Sequence, residues 1–394
     1  MRRAGGSPGR SSPHALIEEL RRIALVGPAP PDRGGIAHET ARLARELSKE
    51  VDVEYLTFSR PYPRWLDPRR FAHEPRLEPA PARPLLDYLS PASWRRTAKE
   101  IESAGTQAVL VPWWTSFWAL PVRAVFRALG NGSSRAARVL VCHNVRDHES
   151  TAVKRLLSVG AFDAADGFLV HSRDNRAEMA RRFPDRPVEA LPLPVLEKPE
   201  VSREEARRRL GLETGPLVLF LGLVRKYKGV DVLLDAAPRI VRETGGRIAV
   251  VGEVFPDARE LARRRESSPV RDRILWKDEY VSEEEMALWL AACDVVALPY
   301  RQISASAIAA RALAARRPIA AAEVGGLRDA VIAGSTGELF PAGDAGALAE
   351  AVERILRRAG SYEAALDEAA AEASWPRYAR KVLEFVDVVR GRKP

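Results

Sequence analysis

Residues 22–48 read RIALVGPAPPDRGGIAHETARLARELS: a short apolar run, a loop of prolines and glycines, then an amphipathic helix that opens at Gly34-Gly35. Leu25 and Val26 carry the apolar run to Gly27, and Pro28 and Pro30 hold the following loop extended. Two residues without Cβ atoms then let backbone amides approach an anion at the positive end of the helix. The pattern returns at residues 216–237, PLVLFLGLVRKYKGVDVLLDAA, where Arg225 and Lys228 stand in the loop that carries glycines in the first copy. Two phosphate-binding strand-loop-helix units predict two Rossmann-like halves that handle one nucleotide or sugar ligand.

Length and periodicity agree with that reading. A chain of 394 residues exceeds one ordinary core and suits two domains. Short β-rich runs alternate with helical segments at DVEYLTF, QAVLVPW, ARVLVCHN and DGFLVHS, and again at LVLFLG, RIAVVGE, DRILWKD, DVVALPY and RPIAAAE. Such alternation predicts an α/β fold with doubly wound parallel sheets covered on both faces. Prolines recur and periodicity stops over residues 187–202, which marks the linker. The expected organisation is a flexible tail over residues 1–20, an N-terminal domain over 21–190 and a C-terminal domain over 203–372. A closing helix within 373–394, opening near Pro376, is expected to pack back on the first domain.

Lys and Arg number 62 against 53 Asp and Glu, a formal charge of +9 at pH 7. Most of the excess reads as solvated helix faces, as in REEARRRL at 203–210; the remainder points to nucleotide phosphates or an anionic membrane surface. Nucleic acid ranks last, because no recognised binding motif accompanies the charge. Cys142 and Cys293 both lie in apolar runs and read as buried, reduced thiols of a cytoplasmic protein. The opening MRRAGGSPGRSSPH lacks the apolar run of a signal peptide, and no stretch has the length of a membrane span. No Asp-x-Asp pair follows a strand and no His/Cys cluster has ligand spacing, so the sequence calls for no metal and no other cofactor. A Gly-x-Ser-x-Gly hydrolase elbow is missing, as is the acidic ribose partner of a dehydrogenase.

Six segments in this order carry a resemblance: GPAPPDRGGIA (27–37), VCHNVRDHES (141–150), DGFLVHSRDN (166–175), FLGLVRKYKGVDVLL (220–234), AACDVVALPY (291–300) and RPIAAAEVGGLRDAVIAGSTGELFPAGDAGALAEAV (317–352). Together they resemble the retaining glycosyltransferases of family 4, the glycosyl transferases group 1, over nearly everything after residue 21. The resemblance implies a GT-B fold, two Rossmann-like domains facing across a cleft. It also implies transfer of a sugar from a nucleotide-diphosphate donor to an acceptor hydroxyl with retention, in the making of bacterial surface glycans, glycolipids or other glycoconjugates.

In such a transfer negative charge grows on the departing diphosphate, so cations fixed there beforehand lower the barrier most. Arg225 and Lys228 are the first candidates, helped by the dipole of the helix that begins at Gly229. Gly34 and Gly35, and Gly325 and Gly326, are donor-side candidates that serve equally well as tight turns. His143 ends an apolar strand, and in the resembled family a histidine there contacts the transferred sugar. His38 and His148 are acceptor-side candidates.

The chain departs from the family after Pro299-Tyr300, where members often carry two glutamates. Here the stretch is PYRQISASAIAARALAARRP: the first position falls near Ile303 or Ser304, and the second is Arg311. Ser304 and Ser306 can cap a helix and offer hydroxyls to the donor, and Arg311 can reach an acid such as Glu323. Transfer therefore stands beside two other readings: an inactive GT-B nucleotide-sugar-binding or scaffold subunit, and a basic protein that binds membrane or nucleic acid without sugar chemistry. Five of the eight tryptophans lie in the first half, Trp65, Trp94, Trp113, Trp114 and Trp118. Trp113 and Trp114, within VPWWTSFWALPVRAVFRAL (111–129), suit either core packing or a glycan or lipid-linked acceptor at an anionic membrane. Residues 59–71 read as a mobile loop beside the same site, and residues 276–281 as the surroundings of the donor base.

Overall fold

The computed structural model describes residues 20–32, 35–60, 81–131, 136–145, 152–195 and 199–392. The chain divides into two compact units, one made of Met1–Val170, Arg176–Leu191 and Tyr378–Pro394, the other of His171–Asn175 and Pro192–Arg377. Each is built on one parallel sheet. In the first unit β1 (Arg22–Val26), β2 (Asp52–Arg60), β3 (Arg83–Asp87), β4 (Ala108–Trp113), β5 (Ala137–Cys142), β6 (Gly167–Val170) and β7 (Val188–Ala190) lie in the order β3-β2-β1-β4-β5-β6-β7. In the second β8 (Leu217–Leu221), β9 (Arg247–Val251), β10 (Ile274–Lys277), β11 (Val295–Leu298), β12 (Ile319–Ala322) and β13 (Gly337–Phe340) lie in the order β10-β9-β8-β11-β12-β13. β1 pairs with both β2 and β4, and β8 with both β9 and β11, so each sheet reverses its winding beside its first strand. Ligands of doubly wound sheets bind at that switch, outside the carboxyl ends of the strands.

The elements follow from their residues. All five residues of β8, LVLFL, are buried, as a strand covered on both faces requires. The helix Val230–Thr244 buries Val230, Leu233, Leu234, Ala237 and Ile240 at three- and four-residue spacing and stops at Gly245 in the left-handed region, φ 65°. The last helix, Trp375–Gly391, lies against β6: a Cβ on Gly167 would stand 2.6 Å from Val389 Cγ2 and 3.2 Å from Phe385 Cζ. Burial pushes both cysteine thiols up, that of Cys293 to about 12.

Several expectations need correction. β7 takes Val188–Ala190 out of the stretch read as linker; three residues among prolines are too few for periodicity to register. β3 and β13 also lie outside the predicted strands, one with a proline on a sheet edge, the other with Gly337 pressed on Ile319 O. Residues 111–129 are core rather than an apolar surface: Trp113, Trp118, Val122, Val125 and Phe126 are buried, and Phe58 stacks on Trp118 at 3.9 Å. Of the loop expected over 59–71, Ser59 and Arg60 end β2, and 61–71 lie outside the described residues, as does the tail at 1–19.

The segment 203–210 is not simply a solvated face. Arg207 is 9% exposed, and its guanidinium donates to the carbonyls of Ala292, Glu213 and Gly215 and to Asp294 Oδ2 at 2.9 Å. Asp294 also accepts from Arg203 and from the Leu217 amide, so one carboxylate ties the start of β8 to the entry of β11. Asp294→Ala leaves Arg207 uncompensated and is expected to cost about 3 kcal/mol in urea unfolding. Arg208→Ala, on the exposed side of the same helix, is expected to cost under about 0.5 kcal/mol.

Candidate functional site

At the switch point of the second sheet three strand ends meet with little side-chain bulk between them. Gly222, φ 105°, follows β8, and Gly252, φ 144°, follows β9; a Cβ on Gly252 would stand 2.2 Å from Gly222 O. Beyond the sheet the two loops stay paired, Val224 N donating to Glu253 O at 2.9 Å and Phe255 N to Val224 O at 3.0 Å. Arg225 is extended, Lys226–Lys228 form one tight turn, and Gly229 caps the helix Val230–Thr244 with φ 64°. A Cβ on Gly229 would stand 1.9 Å from Pro299 O, so only glycine lets the turn close onto the end of β11. Arg301 fastens the two loops, donating to both carboxylate oxygens of Asp231 at 2.8 and 2.6 Å and to Lys226 O at 3.2 Å.

The turn fixes two cations. Arg225 lies over the Phe255 ring at 4.6 Å and pairs through Nε with Asp257 at 3.1 Å. Lys228 points the other way, its ammonium 5.3 Å from the centre of the Tyr300 ring and 3.4 Å from the place of a Cβ on Gly222. Among the described residues no carboxylate pairs with it. Burial, and after that the charge of Arg225, lower its pKa to about 8. A desolvated ammonium beside a second cation, at a strand end, is chemically suited to meet an anion.

The remaining donor-side candidates gather on the loops after β11 and β12. Ser306 caps the helix Ala307–Ala314, accepting from Ala309 N at 3.2 Å. Gly325, φ 43°, and Gly326 press on the preceding loop: Cβ atoms there would stand 1.8 Å from Ile303 O and 2.4 Å from Ser304 O. Close packing thus accounts for both glycines. Arg311 pairs with Glu283, Nη1 to Oε2 at 2.5 Å and Nη2 to Oε1 at 2.8 Å. The expected partner Glu323 instead lies 3.5 Å from Arg328, across the strand from the helix that carries Arg311.

In the first unit His143 follows β5; its amide donates to Trp113 O at 2.8 Å and its Nδ1 stands 3.5 Å from Glu39 on the helix Gly35–Leu47. Gly35 opens that helix with open space around its Cα, and His38 is half-buried one turn in. Tyr55 anchors the loop after β1 by donating to Pro28 O at 2.5 Å. Gly34 and His148 lie outside the described residues. Trp113 is 3% exposed and packs on Phe162 at 5.0 Å, so its ring is unavailable to an acceptor; Trp114 is half-buried against Phe58. Among the described residues no group of three or more His, Cys, Asp and Glu side chains could hold a metal ion, and no helix is long and apolar enough to cross a membrane.

Residues 215–358 match the family model of the glycosyl transferases group 1. Over that span the chain is similar to that family. The span holds Arg225, Lys228, Ser304, Ser306, Arg311, Gly325 and Gly326. The chain is 34% identical over 208 residues to a D-inositol 3-phosphate glycosyltransferase of Xylanimonas cellulosilytica, covering 51% of this chain and 49% of that protein. It is 32% identical to the alpha-D-kanosaminyltransferase of Streptomyces kanamyceticus over 40% of each chain. The matches thus span about half the length of these relatives or less. Among solved structures, HepE of Anabaena in complex with UDP superposes with a TM-score of 0.71 at 14% identity, over 94% of this chain and 100% of that one. Sucrose-phosphate synthase of Thermosynechococcus elongatus gives 0.62 at 21% identity, over 94% and 98%. The fold of the chain is GT-B.

Sequence reasoning missed Asp257, Phe255, Asp231 with Arg301, Glu283 and Glu39. The acids after a strand end, as in GEVFPD after β9, were the available signal for Asp257.

The sign of the Lys228 effect is fixed by its lowered pKa. Below pH 8 both folded and unfolded chains carry the proton, and burying the ammonium opposes folding in full. Between about 8 and the ordinary 10.5 the unfolded chain binds more proton, so this contribution makes stability rise with pH. Lys228→Met is therefore expected to be more stable than the parent at pH 7, with the gap in thermal midpoint closing towards pH 10.

Proposed function

We propose that the chain is a retaining glycosyltransferase that takes a nucleotide-diphosphate sugar on its second unit and needs no metal. The unpaired, desolvated Lys228 ammonium beside Arg225 at the β8 switch point carries this reading. Two fixed cations meet the charge that grows on the diphosphate as the glycosidic bond breaks. Above about pH 8, anion binding restores the Lys228 proton. In the first unit His143, oriented by Glu39, offers its other ring nitrogen to a sugar hydroxyl. UDP, held by HepE, is the first nucleotide to test, and the inositol phosphate in the name of one relative makes small polar acceptors the first acceptors.

Micromolar binding of one nucleoside diphosphate by calorimetry is expected, weakened at least 100-fold in Arg225→Ala/Lys228→Ala, since each charged hydrogen bond contributes about 1.5–3 kcal/mol. At pH 8.5 binding is expected to take up a proton in the parent, read from buffers of different ionisation heat, and none in Lys228→Met. Binding without turnover on any acceptor would favour the scaffold reading, which the loss of both family glutamates also supports.

We assign peripheral contact with an anionic membrane, at the cytoplasmic face where surface glycans are begun, to the helix Pro91–Ser103. Its Arg95, Arg96 and Lys99 are exposed and, among the described residues, without carboxylate partners. They line a groove of about 650 Å³ beside Arg83, and the exposed Leu89 precedes them. Salt-sensitive sedimentation with phosphatidylglycerol vesicles is expected, reduced about tenfold or more by Arg95→Glu/Arg96→Glu/Lys99→Glu, at about 1 kcal/mol per basic residue.

A further inference from the structure

We propose that Asp257 and Phe255, on the loop after β9, are positioning residues that hold Arg225 ordered in advance for a diphosphate; this rests on the donor reading above. A long side chain that moves freely makes a poor anion site. A ligand that must first order it gives up about two- to twelvefold in affinity. At Arg225 that freedom is already removed. The two oxygens of Asp257 stand 3.1 and 3.2 Å from Arg225 Nε, and the centre of the Phe255 ring lies 4.6 Å from the guanidinium carbon. A planar guanidinium held at Nε by a carboxylate and on its face by a ring can neither swing away nor turn about its stem.

The clamp is itself anchored. Asp257 lies in the one-turn segment Pro256–Ala258, where Ala258 is buried and its amide donates to Phe255 O at 2.9 Å. Phe255 N donates to Val224 O, which seats the ring beside Arg225, and Val224 N donates to Glu253 O. On its other side the same loop is tied to the end of β10, Val254 N donating to Asp278 Oδ1 at 2.7 Å. Asp257 Oδ2 also accepts from the Lys226 amide at 3.2 Å, at the start of the turn that carries Lys228. One carboxylate thus fixes the side chain of one cation and the backbone that leads to the other. Stability gains little from the pair, because Asp257 keeps 38% of its side chain exposed and exposed ion pairs contribute little. Simple Coulomb attraction for an anion would be stronger without it, since a negative charge beside the site repels the ligand. A carboxylate placed against that repulsion acts through geometry.

The test is calorimetry with UDP, GDP and ADP on the full chain, with urea unfolding of each variant beside it. Asp257→Asn, which keeps the shape of the side chain and gives up its charge, is expected to weaken the nucleotide that the parent binds by about threefold or more. Loss of a negative charge by itself would tighten that binding, so the two effects differ in sign. Phe255→Leu, which alters no charge, is expected to weaken it by about threefold or more as well; Asp257→Asn decides alone where Phe255→Leu does not fold. In an Arg225→Ala background both substitutions are expected to change affinity by less than about twofold, because they act through the guanidinium. A merely structural role would lower the unfolding midpoint and leave the affinity of the folded protein unmoved. Tighter, unchanged or only slightly weaker binding in Asp257→Asn, or the full loss repeated in the Arg225→Ala background, overturns the proposal alone. Failure of the parent to bind any of the three nucleoside diphosphates overturns the donor reading and this proposal with it.

Discussion

A half-buried ammonium that, among the described residues, has no carboxylate partner is the constraint around which the second unit is arranged. The backbone at Lys228 is fixed, because Gly229 behind it is locked on Pro299 O and Arg301 binds its loop to the helix start through Asp231. The nearby Asp257 pairs with Arg225 instead. The charge stays where burial penalises it, and the fold carries that cost through the contacts that fix the turn. An anion of the right size relieves the penalty on binding, which converts a stability loss in the empty protein into affinity.

Glycines make this arrangement possible by removing the side chains that would otherwise fill the ends of β8, β9 and β11. At Gly222, Gly229 and Gly252 a positive φ coincides with a tight backbone approach or with the lysine itself, so two independent constraints choose the same residue. Gly325 and Gly326 do the same for the loop at Ile303–Ser304. Their role is steric: they bring the loops after β11 and β12 together. The positively charged groups then do the electrostatic work that glycine-rich turns do elsewhere.

The fold was legible because its strongest signals are local. LVLFL, ARVLVC and VVAL are continuous apolar runs that only a doubly covered strand explains, and RKYKG after the first of them separates this chain from dinucleotide enzymes. What escaped was of two kinds. β3, β7 and β13 are edge or outer strands too short or too broken by Pro and Gly for periodicity to show. The partners of the charged groups escaped because they lie far along the chain: Glu283 is 28 residues from Arg311 and Asp257 32 from Arg225. Composition left one place open, the tryptophans of 111–129, which suited core packing or an acceptor surface and lie in or against the first core.

Loss of the family's glutamates could be read as decay of the site, but the energetics of the rest oppose that. A decayed pocket sheds first the features that cost stability and contribute nothing: an unpaired buried lysine, and glycines in strand ends where alanine would stabilise a relaxed loop. Here those features are intact and mutually fitted. Ile308 and the Lys228 ammonium converge on Gly222, while Arg311, at the place of the second glutamate, is matched by an acid from the neighbouring helix rather than left to face the pocket alone. An arginine introduced without Glu283 would have added an uncompensated, largely buried cation to the helix after β11. Paired as it is, it leaves the local charge set by Arg225 and Lys228, and the pocket keeps its preference for an anion.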